Sequence, residues 1–153
     1  MKIMDILVRD AVIVDLASET KGAVLAEMAR ALAKAEPSLD ADRLLGVLTE
    51  REALQSTGIG EGVAIPHGKM PGLDRLVASF ARSVKGIDFD SIDGQLTNLF
   101  FLLVVPEHSG GHHLKALARI SRFFRDGQFR ENLSAATQLE DVFKAIEDED
   151  SKF

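Results

Sequence analysis

The run LTNLFFLLVVP, residues 96 to 106, is the most apolar stretch of the chain. Its lack of charge and its length are typical of a strand buried on both faces of a sheet. Asp93-Gly94-Gln95 is a turn signal before it, and Pro106 ends it because proline has no N–H to give to a neighbouring strand. We therefore predict a central strand over Leu96–Val105.

Strand and helix patterns alternate on both sides of this run. We predict further strands at residues 11–14, 63–65 and 76–83, where apolar runs are short or alternate with polar residues. We predict helices at residues 20–34, 40–54, 113–125, 128–133 and 139–146, where apolar residues recur at a spacing of three or four. The acidic tail, residues 147–153, is expected to fray.

This alternation favours an α/β fold: a three-layer domain with a mixed, mostly parallel sheet flanked by helices. The chain has 153 residues, which is the usual size of one domain, and no repeat or linker interrupts it. We therefore expect residues 1–153 to form a single domain. In such folds the functional site is usually found where strands give way to loops.

Composition excludes several classes of function. The 24 acidic and 18 basic residues give a formal net charge of −6, which disfavours contact with nucleic acid or an anionic lipid surface. The chain has no cysteine, so it has no disulfide, thiol nucleophile or thiolate metal ligand. No apolar run approaches the roughly 20 residues of a membrane-spanning helix. We expect a cytoplasmic protein without nucleic-acid binding or direct membrane insertion.

The stretch GIGEGVAIPHG, residues 58 to 68, is rich in glycine but fits neither common phosphate-binding loop. A dinucleotide-binding fingerprint needs a strand before its glycines and a helix after them, and the order here is reversed. A Walker-type loop needs four residues between its glycines, whereas five separate Gly62 from Gly68, and Met70 instead of Ser or Thr follows Lys69. We therefore expect no nucleotide cofactor.

His67 stands in this stretch between a proline and a glycine. Pro66 fixes the backbone φ on one side, and Gly68 adds no side chain on the other. The imidazole is therefore expected to be rigidly held and open to a large partner. This display suits a nucleophile that transfers a group between macromolecules.

A metal site is the main alternative use of the histidines. His108, His112 and His113 lie within six residues of one another, and His67 could join them. However, Ser109-Gly110-Gly111 would break the single helix face that a pair spaced like His108 and His112 requires. We predict no metal site, and a metal-dependent enzyme stays as the rival hypothesis.

The stretch STGIGEGVAIPHGK, residues 56 to 69, resembles the active-site segment of enzyme IIA domains of the fructose/mannitol class in the bacterial phosphoenolpyruvate-dependent phosphotransferase system. The helix end LTEREAL before it continues the likeness, as do the later LLVVP and HHLKALARIS in that order. The stand-alone nitrogen-regulatory members of the class are the most similar. The likeness covers most of the chain.

The resemblance implies a phosphoryl carrier that needs no cofactor. His67 would accept a phosphoryl group from the phosphohistidine of an HPr-type carrier protein, giving a candidate tele-phosphohistidine, although the sequence leaves the choice of ring nitrogen open. Arg51 would clamp the phosphoryl oxygens, and His113 would stabilise the transferred group. His112 is adjacent to His113 and only one of the two can face His67, so we prefer His113.

Two further sets of residues are assigned around this centre. Ser56 and Thr57 either donate hydroxyl hydrogen bonds to the phosphoryl group or cap the helix end. The partner interface is expected at an apolar rim and at glycines that make room for the partner. These interface residues are Ile59, Gly60, Gly62, Val63, Gly68 and Met70.

The resemblance leaves the biological role open. No permease or second phosphotransfer domain occurs within these residues, which favours a regulator of nitrogen, carbon or potassium metabolism that changes its target proteins on phosphorylation. The alternatives are a sugar-transport component that passes the phosphoryl group to a separate fructose/mannitol-type permease component, and a binding regulator that is never phosphorylated.

Overall fold

A computed structural model describes residues 1–153, in which six α-helices flank a five-stranded mixed sheet. The helices are α1 (Ile3–Ile6), α2 (Lys21–Ala35), α3 (Ala41–Leu54), α4 (His112–Phe123), α5 (Gly127–Ser134) and α6 (Leu139–Lys152). The strands are β1 (Gly58–Gly60), β2 (Val63–Ala64), β3 (His67–Met70), β4 (Val77–Ile87) and β5 (Thr97–Pro106). No helix is long and apolar enough to cross a membrane.

The apolar run of the sequence forms β5, the centre of the sheet. Strand β4 pairs with it antiparallel along one edge. Strands β2 and β3 share its other edge and run parallel to it, with Val63 opposite Leu99 and His67 opposite Leu103. Strand β1 pairs antiparallel with β2. The predicted α/β fold with a mixed sheet is confirmed, but two of the four pairings are antiparallel, so parallel pairs are not a majority.

Strand β5 is apolar throughout because it supplies both cores of the molecule. Side chains alternate across a strand, so Leu99, Phe101, Leu103 and Val105 enter one core, and Phe100, Leu102 and Val104 enter the other. The first core is covered by α1, α4, α5 and α6. The second is covered by α2 and α3. These are the three layers that the sequence predicted.

The segment at residues 11–14 is not the regular strand that we predicted. A 3₁₀ turn occupies Arg9–Ala11, and Ile13 makes only an isolated bridge to Ala81. The segment lies along the outer edge of β4, where Ile13 N donates to Phe80 O at 2.9 Å. It therefore covers the open edge of the sheet instead of adding a strand to it.

The C-terminal tail is also more ordered than expected, since α6 continues to Lys152. The buried carboxylate of Asp150 accepts hydrogen bonds from Ile3 N and Met4 N, at 2.8 and 3.0 Å. Arg119 of α4 lies 2.9 Å from the same carboxylate. These contacts tie the two ends of the chain together, so the tail does not fray.

Candidate functional site

His67 begins β3, beside the middle of the central strand. The backbone before it is fixed on both sides: Ile65 N donates to Thr57 O and Leu103 N donates to Pro66 O, each at 3.0 Å. The side chain itself is half-buried. The rigid placement that we predicted from the flanking proline and glycine therefore agrees with the backbone hydrogen bonds around this residue.

One ring nitrogen of His67 is occupied by the backbone. Nδ1 lies 2.8 Å from the carbonyl oxygen of Ile65. A carbonyl oxygen only accepts hydrogen bonds, so Nδ1 carries the proton and donates it. In the neutral ring the lone pair is then on Nε2, which has no hydrogen-bond partner within the protein.

The pKa of His67 is lowered from its ordinary value of 6.5, chiefly because partial burial penalises the charged ring. The positive charges of Arg51 and His113 lower this pKa further. The hydrogen bond to Ile65 and the negative charge of Glu52 act in the opposite direction and raise it. The net effect is an imidazole that is neutral, and hence nucleophilic, near pH 7.

The structure thus brings Arg51 and His113 close enough to His67 for their charges to act on it. Arg51 lies in the last turn of α3, where its Nη1 donates to Gln55 O at 2.7 Å. This bond caps the helix end and leaves the other nitrogens of the guanidinium free. The cation whose charge acts on His67 therefore lies at a helix end and is held there by a hydrogen bond.

His113 is the second residue of α4, and its Nδ1 lies 2.9 Å from Gly110 O. Nδ1 therefore donates to this carbonyl, and Nε2 can donate to another group only when the ring is an imidazolium. His113 is half-buried, whereas His112 and His108 are exposed. Of the two adjacent histidines, His113 is the one whose charge acts on His67.

The hydroxyls of Ser56 and Thr57 hold the segment that follows α3. Ser56 Oγ donates to Phe89 O at 2.7 Å and accepts from Gly58 N at 3.0 Å. Thr57 is buried, and its hydroxyl donates to the carboxylate of Glu52. Both hydroxyl hydrogens are thus in use. Of the two roles weighed, a cap at the helix end agrees with the bond of Thr57 to α3, whereas Ser56 bonds only outside the helix. Donation to a phosphoryl group would require breaking these bonds.

Two residues expected in the apolar rim lie inside the protein instead. Val63 is 1% exposed and Met70 is 2% exposed, and each packs into one of the two cores. They cannot contact a partner, because they are the inward-facing residues of β2 and β3. Ile59 is exposed as expected, at 42%.

Exposed apolar side chains that the sequence did not single out lie on the two helix ends beside His67. Leu54 is 83% exposed and follows Arg51 by one turn at the end of α3. Leu114 is 63% exposed and is adjacent to His113 on α4. We call Leu54 and Leu114 the site rim. Ile59 lies apart from them, in a surface depression that it shares with Ser121 and Arg125 near the end of α4.

The local structure explains why glycine occurs at three positions of this segment. Gly60 and Gly62 have φ values of +93° and +75°, and they flank Glu61 in the turn between β1 and β2. A Cβ on Gly68 would lie 2.6 Å from Cγ1 of Val47, so the absence of a side chain lets β3 pack directly against α3. Gly68 therefore serves an internal contact, in addition to the access for a partner that we predicted.

A buried ion pair that we did not predict from the sequence lies next to the site. Glu52 is 8% exposed, and its Oε1 lies 3.0 Å from Nζ of Lys21. A signal was present in the sequence: Glu52 continues the buried stripe of Leu44 and Leu48 at intervals of four residues. A carboxylate at such a position requires a partner inside the protein.

Nothing in the arrangement resembles a metal centre. The structure contains no group of three or more His, Asp or Glu side chains placed to hold a metal ion. His108 and His112 are exposed and lie outside the group of charges that acts on His67. What the site offers chemically is a neutral imidazole nitrogen facing two groups that can carry positive charge.

Comparison with known proteins gives a consistent result. Residues 5–149 match the family described as "Phosphoenolpyruvate-dependent sugar phosphotransferase system, EIIA 2". The chain is 39% identical over 146 residues to the nitrogen regulatory protein of Bradyrhizobium diazoefficiens, covering 95% of each chain. It is 33% identical over 150 residues to the fructose-specific EIIABC component of Bacillus subtilis, covering 98% of this chain but 24% of that protein. The crystal structure of the nitrogen regulatory protein IIA-Ntr from Neisseria meningitidis superposes with a TM-score of 0.87 at 33% identity, covering 93% of this chain and 97% of that one.

Proposed function

Because the chain belongs to the EIIA 2 family of the phosphoenolpyruvate-dependent sugar phosphotransferase system, we propose that it is a phosphoryl carrier that accepts the group on Nε2 of His67. The observation that supports this most directly is the hydrogen bond between His67 Nδ1 and Ile65 O, at 2.8 Å. It holds the proton on one nitrogen and leaves the lone pair of the other free. The proposed product is therefore a tele-phosphohistidine.

The proposed transfer balances without any cofactor. The Nε2 lone pair of His67 forms a new N–P bond as the N–P bond of the donor phosphohistidine breaks. The electron pair of the broken bond stays on the donor's ring nitrogen, and the donor ring becomes a neutral imidazole. His67 keeps its Nδ1 proton and still donates it to Ile65 O. The positive charge that the phosphorylated ring gains is therefore partly balanced by this carbonyl.

Arg51 and His113 would act on the phosphoryl oxygens. These oxygens carry the negative charge in the transition state, so positioned cations supply most of the catalysis in such reactions. The charges of both residues already act on His67 in the free protein. The group would therefore arrive beside the guanidinium of Arg51 and the ring of His113, which can bind its oxygens.

The proposed donor is an HPr-type phosphocarrier protein. The site rim supplies a small apolar surface beside His67, with Leu54 83% exposed and Leu114 63% exposed. A surface of this size suits a partner that docks briefly and leaves. The proposed location of both proteins is the cytoplasm, as expected from the sequence.

Regulation of other proteins is the proposed consequence of phosphorylation. The likeness to nitrogen regulatory proteins favours the regulatory role: 39% identity over 95% of the protein of B. diazoefficiens, and a TM-score of 0.87 with IIA-Ntr of N. meningitidis. The phosphoryl group adds about −1.5 to −2 charges beside the rim, which would change the target that is bound. Transfer to a separate sugar-permease component is the second candidate, because the family also includes fructose-specific proteins.

Intact mass spectrometry tests the proposal. The protein is incubated with phosphoenolpyruvate, the first enzyme of the system and an HPr-type carrier, as wild type, His67→Ala and the exposed control His108→Ala. Wild type and His108→Ala should each gain one acid-labile phosphoryl group, and His67→Ala should gain none. Unmodified wild type with several carriers and Mg²⁺ present would leave a binding regulator that is never phosphorylated.

A further inference from the structure

A chain of hydrogen bonds leads from a buried ion pair to the ring of His67. Lys21 Nζ lies 3.0 Å from Oε1 of Glu52, and the same oxygen accepts from Thr57 N at 3.0 Å. The other oxygen of Glu52 accepts from the hydroxyl of Thr57. Thr57 O accepts from Ile65 N at 3.0 Å, and Ile65 O accepts from His67 Nδ1 at 2.8 Å.

We propose that Glu52, held by Lys21, is a positioning residue for phosphoryl transfer: through Thr57 and Ile65 it keeps His67 protonated on Nδ1, with Nε2 facing outward. This inference rests on the proposed function and adds to it residues that do not touch the phosphoryl group. It also gives a role to the buried charge that the transfer chemistry does not use.

The contacts of Glu52 indicate that it fixes the segment after α3 and does not merely fill space in the core. The carboxylate takes both donors of one residue, the N–H and the hydroxyl of Thr57, which fixes the peptide that comes after α3 in position and in rotation. That peptide orients the backbone of Ile65, and Ile65 supplies the carbonyl that selects the tautomer of His67. A shift of this carbonyl by a few tenths of an ångström would weaken the selection.

Lys21 supplies the partner that the buried carboxylate of Glu52 requires. Its ammonium lies over the ring of Phe89, 4.6 Å from the centroid, and 3.6 Å from Asp90, so α2 and the loop before β5 both hold it in place. A buried carboxylate without such a partner would be costly. With Lys21 beside it, Glu52 accepts both hydrogen bonds from Thr57.

The position of Glu52 also couples it to Arg51. The two residues are adjacent in the last turn of α3, so their side chains point in different directions, Glu52 into the protein and Arg51 toward its surface. Fixing Glu52 fixes the rotation of that turn. The same ion pair thus orients the nucleophile through the loop and the proposed phosphoryl clamp through the helix.

The test measures the ring of His67 directly. Two-dimensional ¹H–¹⁵N spectra of the imidazole, recorded across pH, give the fraction of each tautomer in wild type, Glu52→Gln, Thr57→Val and Thr57→Ser. The matched control is Glu50→Gln, which removes the same charge from an exposed residue two positions before Glu52 on α3.

We expect wild-type His67 to be mostly Nδ1–H in the neutral ring. Glu52→Gln and Thr57→Val should each reduce the ratio of Nδ1–H to Nε2–H by roughly tenfold, which is the change in an equilibrium constant that corresponds to the loss of one net hydrogen bond. The rate of phosphoryl transfer should fall in proportion to the fraction of Nδ1–H ring, and therefore by a smaller factor than the tautomer ratio. Thr57→Ser keeps the hydroxyl and should recover most of the tautomer ratio, and Glu50→Gln should match wild type.

Wild-type tautomer ratios and rates in a folded Glu52→Gln protein would overturn the proposal, as would a wild-type ring that is mostly Nε2–H. If Glu52→Gln does not fold, the comparison of Thr57→Val with Thr57→Ser decides, since these variants keep the ion pair. The spectra need no phosphoryl donor. A wild-type protein that no carrier phosphorylates therefore refutes the proposed function alone, and the positioning role is still judged from the ring of His67.

Discussion

Nδ1 of His67 lies 2.8 Å from the carbonyl oxygen of Ile65, two residues before it in the chain. The backbone therefore contacts the imidazole ring directly, and no acidic side chain hydrogen-bonds to the ring itself. Because the carbonyl can only accept, it selects one tautomer and leaves Nε2 unprotonated. The reactivity of the site then depends on this contact and on the charged groups around the ring.

The first prediction concerns acid stability. Since the folded pKa of His67 is lowered, the unfolded chain binds the proton more readily than the folded one. His67 therefore destabilises the fold as the pH falls through its ordinary value of 6.5 toward the lower folded value, and it makes no such contribution above that window. Urea unfolding of wild type and His67→Gln at several pH values should show a weaker loss of stability between pH 7 and about 5 in the variant. Parallel curves for the two proteins would contradict the lowered pKa.

The second prediction concerns Arg51. Arg51→Ala should slow phosphorylation of His67 by roughly 10²- to 10³-fold, the usual effect of losing one group that stabilises transition-state charge. Because the guanidinium lowers the pKa of His67, its removal should also raise that pKa, as followed by NMR titration. The free ring would then be protonated over a wider pH range. A slower rate without any change in the titration would place Arg51 farther from His67 than we infer.

Features that depend on nearby residues could be predicted from the sequence, and features that depend on distant pairing could not. The central strand was predictable because an uncharged apolar run of this length is stable mainly inside a sheet. The fixed backbone around His67 was predictable because Pro66 and Gly68 flank it, whereas the role of His67 stays a prediction. The segment at residues 11–14 was not predictable, since a β-branched run beside a sheet can pair regularly or only bridge it, as Ile13 does.

The side-chain partners of the loop were harder to predict. Hydroxyls next to a phosphoryl acceptor suggest phosphoryl binding, yet Thr57 gives its hydrogen to Glu52. Val63 and Met70 are apolar and close to His67 in sequence, but the alternation of side chains along a strand turns both of them inward. Strand register decides this, and register depends on pairing with β5, which is distant in sequence.

The third prediction concerns Gly68. Gly68→Ala should destabilise the protein by about 1–3 kcal/mol, because the new methyl group would meet Val47 Cγ1 at 2.6 Å in a packed layer. Replacing Val47 by Ala in the same chain should recover part of this loss. Gly46→Ala is the control on the same helix: it meets nothing within 4 Å and should stabilise the protein by up to about 1 kcal/mol. Urea denaturation measures all four proteins, and equal effects of the two glycine substitutions would contradict the close contact.

The fourth prediction concerns the site rim. Leu54 and Leu114 are exposed on the two helix ends that carry Arg51 and His113, so an apolar partner surface centred on His67 should cover both. Leu54→Ser and Leu114→Ser should each weaken binding of an HPr-type carrier by roughly tenfold, as expected for a contact worth about 1–2 kcal/mol. Isothermal titration calorimetry or NMR titration gives the dissociation constants.

Val84→Ser is the matched control for the rim. Val84 is 66% exposed, between Leu54 and Leu114 in accessibility, but it lies on β4 near the opposite end of β5 from His67. Its loss should leave the dissociation constant unchanged, because a partner seated on His67 would not reach it. If Val84→Ser weakens binding as much as the rim variants do, the carrier docks over the other end of the sheet and direct transfer to His67 is ruled out. If only one of the two leucines matters, the partner covers one helix end, and the site rim is reduced to that leucine.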